Sequence, residues 1–200
     1  MKPIDIITYW LGSPDSPSYP EARMKLWFGH APEVDAEMRE RFMSIYEKAA
    51  AGELTEWETD PKGRLALILI LDQFSRNLFR DQARMYAADE RAAQLALATI
   101  GDGWHLQHYA PLERLFIYLP LEHTESLPLQ KFCVRLFQQM ESAAGEDSPD
   151  IDLLRNLTQY AHKHHDVVAE FGRFPHRNAI LGRTNTAEEE KYLATPGAGF

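Results

Sequence analysis

The chain has one cysteine in 200 residues, Cys133, so it cannot close an internal disulfide. That fits a reducing compartment. Cys133 falls among apolar residues at helical spacing and is expected to be a small core residue rather than a nucleophile. Long apolar runs are also missing. The longest, residues 65–71, is far too short to cross a bilayer, and Met1-Lys2-Pro3-Ile4-Asp5 opens no apolar leader segment. Positive charge is scarce: 21 Lys and Arg stand against 30 Asp and Glu, a net charge of -9. Nucleic acid and membrane surfaces both demand a basic footprint, so neither is expected as a partner. Together these absences predict a cytoplasmic, soluble protein.

Motifs with a fixed chemistry are absent too. There is no Walker A loop, Gly-rich dinucleotide turn, Gly-x-Ser-x-Gly elbow or kinase signature. HExxH, paired cysteines and an EF-hand loop are likewise missing, and no metal site is assigned. The cofactor, if one is used, is unknown from the sequence. His162, His165 and Asp166 lie close along the chain, but on a face expected to be solvated.

What is present is helical pattern. Residues 3–11 read as a helix with Pro3 at its start and Gly12 at its end. Residues 13–20 read as a loop, and Trp27 and Phe28 as core. Met38, Phe42, Ile45, Tyr46 and Ala49 recur at three- and four-residue intervals. Asp60-Pro61 is a strong helix start before the all-apolar run at 65–71, which predicts a fully buried helix. Residues 86–100 and 111–122 continue the pattern, with Pro120 expected to kink or end the second. Leu129, Phe132, Cys133, Leu136, Phe137 and Met140 form an amphipathic stripe. In the last long helix, opened by Ser148-Pro149, residues Leu153, Leu157, Tyr160, His164, Val168 and Phe171 share a face. Thr186 and Glu189 form a capping box. With no linker and no low-complexity segment, the expectation is a single all-α domain, residues 1–200, of about seven to eight helices by periodicity.

Two segments concentrate polar chemistry. Leu71-Asp72-Gln73-Phe74-Ser75-Arg76-Asn77-Leu78-Phe79-Arg80-Asp81 and Phe171-Gly172-Arg173-Phe174-Pro175-His176-Arg177-Asn178 each join aromatics to an Arg-Asn pair at a helix end. Arginine's planar fork suits carboxylate and phosphate, and asparagine both donates and accepts. One reading is a composite site for a small anionic molecule. The other is a set of clasps in which Asp72, Asp81 and Glu122 hold Arg76, Arg80, Arg173 or Arg177. His164, centred on an apolar face, His176, beside Arg177, and Glu122 are the acid–base candidates.

The order and spacing of Leu26-Trp27-Phe28-Gly29, the first Arg-Asn segment, Tyr118-Leu119-Pro120-Leu121-Glu122-His123 and residues 171–183 resemble the bacterial "domain of unknown function 924" family over about residues 6–193. Ser75 stands where that family usually has proline. The resemblance implies an all-helical, tetratricopeptide-like fold and no established activity. It also implies that the motif positions belong together: Asp72, Gln73, Arg76, Asn77, Arg80, Glu122, His123, His164, Arg173, His176, Arg177 and Asn178. Two functions are compatible with these residues. One is a small-anion (carboxylate or phosphate) binding protein or enzyme with His164, His176 and Glu122 as catalytic candidates. The other is a helical interaction module that holds a protein partner.

Overall fold

The structure is a computed structural model that describes residues 1–12, 21–29 and 31–199. The loop expected at 13–20 lies outside the described residues, as does the side chain of Phe28. Among the described residues the chain is all-α, with nine helices longer than one turn and no strand. It forms two compact units, Met1–Pro120 and Leu121–Phe200.

In the first unit, α1 (Pro3–Leu11) begins at Pro3 and is left at Gly12, whose φ of 76° suits glycine. Trp27, on α2 (Glu21–Phe28), donates its indole N–H to the Trp10 carbonyl at 2.8 Å. Helix α3 (Pro32–Ala50) buries Met38, Phe42, Ile45, Tyr46 and Ala49, the expected stripe, and adds the carboxylate of Asp35. Rings interlock across these helices: Tyr9–Phe42 at 4.6 Å, Phe42–Phe74 at 4.9 Å, Trp10–Phe74 at 5.4 Å and Trp27–Phe116 at 5.1 Å. Tilted and edge-on pairs of this kind add to the area they bury.

Helix α4 (Pro61–Ile68) starts as the sequence predicts, with Asp60 Oδ2 accepting the Gly63 N–H at 2.8 Å. Gly63 is there for space: a Cβ would sit 2.3 Å from the Trp57 carbonyl oxygen. The apolar run is buried on all sides. Nothing in the sequence announces the π-turn over Leu69–Phe74, after which the chain returns to α over Ser75–Leu78. Helix α5 (Asp89–Gly101) starts three residues later than the pattern suggests, because Ala83–Tyr86 is a 3₁₀ turn. Helix α6 (Pro111–Glu122) runs two residues past Pro120. In the last turn a missing N–H costs one bond and the helix ends soon after.

In the second unit, α7 (Leu127–Ala144) and α8 (Ile151–Phe171) pack along one another. The buried line of α7 includes Cys133, Leu136, Phe137 and Met140 as expected, with Gln130 added and Leu129 and Phe132 only half-buried. The α8 expectation is off by one position in the first half of the helix, while Val168 is buried as expected. Leu154, Thr158, Ala161, Val167 and Val168 are the buried residues, whereas Leu153 and Leu157 are half-buried and Tyr160 is exposed. Thr158 can go inside because its hydroxyl returns to the Leu154 carbonyl at 3.0 Å, and Ala161 permits close approach. Helix α9 (Ala187–Leu193) opens with the predicted capping box of Thr186 and Glu189.

Candidate functional site

The twelve candidate residues divide between the units. Asp72, Gln73, Arg76, Asn77 and Arg80 belong to the first; Glu122, His123, His164, Arg173, His176, Arg177 and Asn178 to the second.

In the first unit the π-turn carries Asp72 and Gln73 into the interior, where Gln73 Nε2 donates to Asp72 Oδ2 at 2.6 Å. Arg76 makes a two-pronged pair with Asp89, Nη1–Oδ1 at 2.7 Å and Nη2–Oδ2 at 3.0 Å. It also donates to the Met85 carbonyl and lies 5.2 Å from the centre of the Tyr86 ring. Asp72 Oδ1 stands 3.7 Å from its Nη2. Buried Asp35 gathers the rest of the segment. Asn77 Nδ2 reaches Oδ1 at 2.8 Å, while Arg80 grips both oxygens at 2.6 and 3.0 Å. Burial pushes the Asp35 pKa up, but the Arg80 and Asn77 hydrogen bonds outweigh it and hold the carboxyl below its ordinary value.

In the second unit Arg173 is held the same way. Its Nε and Nη2 meet the two oxygens of Glu189 at 2.6 and 2.8 Å, and Nη2 also reaches the Thr184 carbonyl at 2.9 Å. Asn178 Nδ2 adds bonds to Asn185 at 2.8 Å and Glu189 at 3.2 Å. The Arg173 pair, more than any other contact, pulls the Glu189 pKa down to about 2. Glu125 forms a second clasp: it takes both Nη atoms of Arg183 at 2.6 and 2.8 Å and the backbone N–H of Phe174 at 2.8 Å.

The remaining residues gather around one ring, Phe174, which is fully buried. His164 meets it edge-on at 5.6 Å, His176 lies 5.5 Å away, and the Arg177 guanidinium carbon stands 4.5 Å above its face. His123 lies 6.4 Å from His164, ring to ring. His164 Nδ1 faces two oxygens, the Tyr160 carbonyl at 2.9 Å and Glu122 Oε1 at 3.1 Å. A carbonyl can only accept, so Nδ1 carries the hydrogen and Nε2 keeps the lone pair that takes up a proton. Glu122 is itself buried, and the loop after it is tied down by Gln130, whose amide donates to the Glu122 and Thr124 carbonyls at 2.5 and 2.7 Å. Burial lowers the His164 pKa to about 3 against the pull of the Tyr160 carbonyl. Burial and then the Arg177 charge lower His176 to about 4. Both rings are therefore neutral near pH 7. Arg177 supplies positive charge, and the Glu122 carboxyl faces His164 Nδ1.

His162 bonds to Gln138 at 3.2 Å and His165 to Asp166 at 2.9 Å. Among the described residues no group of three or more His, Cys, Asp or Glu is placed to hold a metal ion. Cys133 is buried, and burial with the nearby Glu122 charge raises its thiol pKa. The sequence singles out Arg76 and Arg80 but not their acidic partners Asp89 and Asp35, 13 and 45 residues away along the chain, and it singles out neither Glu125 nor Arg183, which lie 58 residues apart. Glu189 carries a signal, its place in the capping box, but not one that points to Arg173.

A family model described as "Bacterial protein of unknown function (DUF924)" matches residues 6–197. The chain is similar to a solved structure titled "Structure of Protein of Unknown Function ATU0120 from Agrobacterium tumefaciens". The identity is 35%, the match covers 96% of each chain, and the TM-score is 0.79. No curated protein matches it.

Proposed function

We propose, for a chain that belongs to the DUF924 family of bacterial proteins, that the cluster around Phe174 binds a small carboxylate or phosphate and is equipped for proton transfer. The observation that carries this reading is the His164 arrangement, with Nδ1 held by the Tyr160 carbonyl and the Glu122 carboxylate in the same unit as Arg177. An imidazole oriented through Nδ1 presents Nε2 for proton transfer, as a weak base because burial favours its neutral form. Arg177 would grip the anion, with neutral His176 and with His123 as hydrogen-bonding neighbours. Arg76, Arg80 and Arg173 each have their fork occupied by a carboxylate. The proposal therefore gives Asp72, Gln73, Arg76, Asn77, Arg80, Arg173 and Asn178 to holding the chain in place. A cytoplasmic location and one domain over residues 1–200 are part of it.

Those occupied forks also favour a second reading, a tetratricopeptide-like interaction module whose Arg-Asn motifs are structural. Thermal shift with acetate and with phosphate separates the two. Anion binding to the native state raises the melting temperature by mass action, about 2.7 kcal/mol of stabilisation at a hundredfold excess over Kd. The expected result is a shift in the wild type that is lost in a folded Arg177→Gln variant and kept in Arg173→Gln. No shift with either anion, or an equal shift in Arg177→Gln, removes the first reading.

A further inference from the structure

The segment after α9 bends back onto the cluster. Thr195 turns the chain, with its N–H and hydroxyl both on the Tyr192 carbonyl at 2.9 and 2.6 Å, and Ala198 N–H returns to the Thr195 carbonyl at 3.2 Å. Gly197 and Gly199 have φ of 81° and 96°, which a side chain would resist. Residues 194–197 are exposed, while 198 and 199 dip to half-buried. They dip onto His176. A Cβ on Gly199 would lie 3.0 Å from His176 Cβ, 3.3 Å from Cγ and 3.7 Å from Nδ1. His176 Nδ1 is itself buried.

From this geometry we propose that residues 195–199 form a strap over the Nδ1 edge of His176, which lifts to open that side of the Phe174 cluster. The inference rests on the cluster being the ligand site. Its hold is slight. Tyr192 is anchored by packing on Phe171 at 5.2 Å and against the Val167, Val168 and Phe174 core, but its hydroxyl accepts the Gly199 N–H at a long 3.4 Å. A segment with few buried contacts and one long latch opens locally far more easily than the helices beneath it. The close approach at Gly199 explains why a residue without a side chain stands there.

Histidine modification of the intact chain by diethylpyrocarbonate, mapped by peptide mass, tests this. The readout is the His176 rate relative to exposed His162, so it needs no ligand, and failure of anion binding leaves it readable. The groups facing His176, namely Arg177, Glu125, Arg183 and His123, are unchanged in the variants. Gly199→Val, which cannot keep the close contact, should react at His176 roughly tenfold faster than wild type, and Tyr192→Phe, which loses the latch, should also react faster. A Gly199→Val ratio equal to wild type in a folded protein overturns the strap. So does a wild-type His176 that already reacts as fast as His162.

Discussion

Replacing Gly63 with alanine should destabilise the protein, although helix propensity alone argues the reverse. Alanine in a helix is favoured over glycine by about 1 kcal/mol. At Gly63 the added Cβ would stand 2.3 Å from the Trp57 carbonyl oxygen and 2.8 Å from its Cα. Those are backbone atoms, and no rotamer change relieves them. Both sides are fixed: the Trp57 N–H bonds to the Leu54 carbonyl at 3.0 Å, and Asp60 caps the Gly63 N–H. Forcing an extra carbon into a tight contact costs about 1–3 kcal/mol. A contact this far inside van der Waals distance belongs at the upper end, so the net loss is about 1–2 kcal/mol after the propensity gain. For a chain of this size that is a drop of roughly 2–8 °C in melting temperature. Gly101 is the control: it ends α5 with nothing within 4 Å of its would-be Cβ, so Gly101→Ala should be neutral or stabilising. The assay is urea and thermal unfolding by tryptophan fluorescence and far-UV circular dichroism. All four tryptophans lie before residue 121, so fluorescence reports the first unit and dichroism both. One domain predicts coincident transitions. A Gly63→Ala protein as stable as wild type, or more so, refutes the close-approach argument.

Asp35→Asn keeps the shape but removes the charge that Arg80 grips. It should cost about 2–3 kcal/mol by urea unfolding, less than a fully buried pair because Arg80 stays partly solvated. Acid should weaken the protein from about pH 6.5 downward. His164 and His176 titrate at about 3 and 4 in the folded chain against 6.5 ordinarily, so the unfolded state binds more protons between those values. Their contribution is complete above pH 6.5 and is lost as pH falls through the folded values, with a slope of up to about 1.4 kcal/mol per pH unit for each ring. Glu189, lowered from 4.5 to about 2, adds a further loss below pH 4.5. Stability against pH should show a flatter slope between pH 4 and 6.5 in His164→Gln and His176→Gln, and equal slopes in all three proteins would contradict the neutral-ring assignment.

The helices were legible because periodicity, caps and stops agree along most of the chain, as at Asp60-Pro61 and Thr186–Glu189. The first half of the α8 stripe lies one position further on than periodicity predicts, because Thr158 is polar by type yet satisfies itself on its own helix. In the candidate site, the sequence singles out the arginines and the acid Asp72, but not Asp35, Asp89 and Glu189 as the carboxylates those arginines hold most closely. Asp35 sits on a helix among other acids, and only the fold shows that it faces inward against Asn77 and Arg80. The His164–Glu122 contact joins residues 42 positions apart. Periodicity placed His164 facing inward; nothing local announced its partner.

The π-turn in the buried rod has a consequence for the chain's tolerance of insertions and deletions. An α-helix advances 100° per residue, so the wider turn over Leu69–Phe74 resets the angle of everything after it. Arg76, Asn77 and Arg80 reach Asp89 and Asp35 from that reset angle. Removing one residue between 69 and 74 would leave an unbroken apolar helix that still looks correct by composition. It would also draw the i→i+5 turn back to i→i+4, so the segment at 75–80 would keep about the same angle and the same carboxylate partners, whereas a residue removed where the rod is already α, at 65–68, would swing that segment by about 100°.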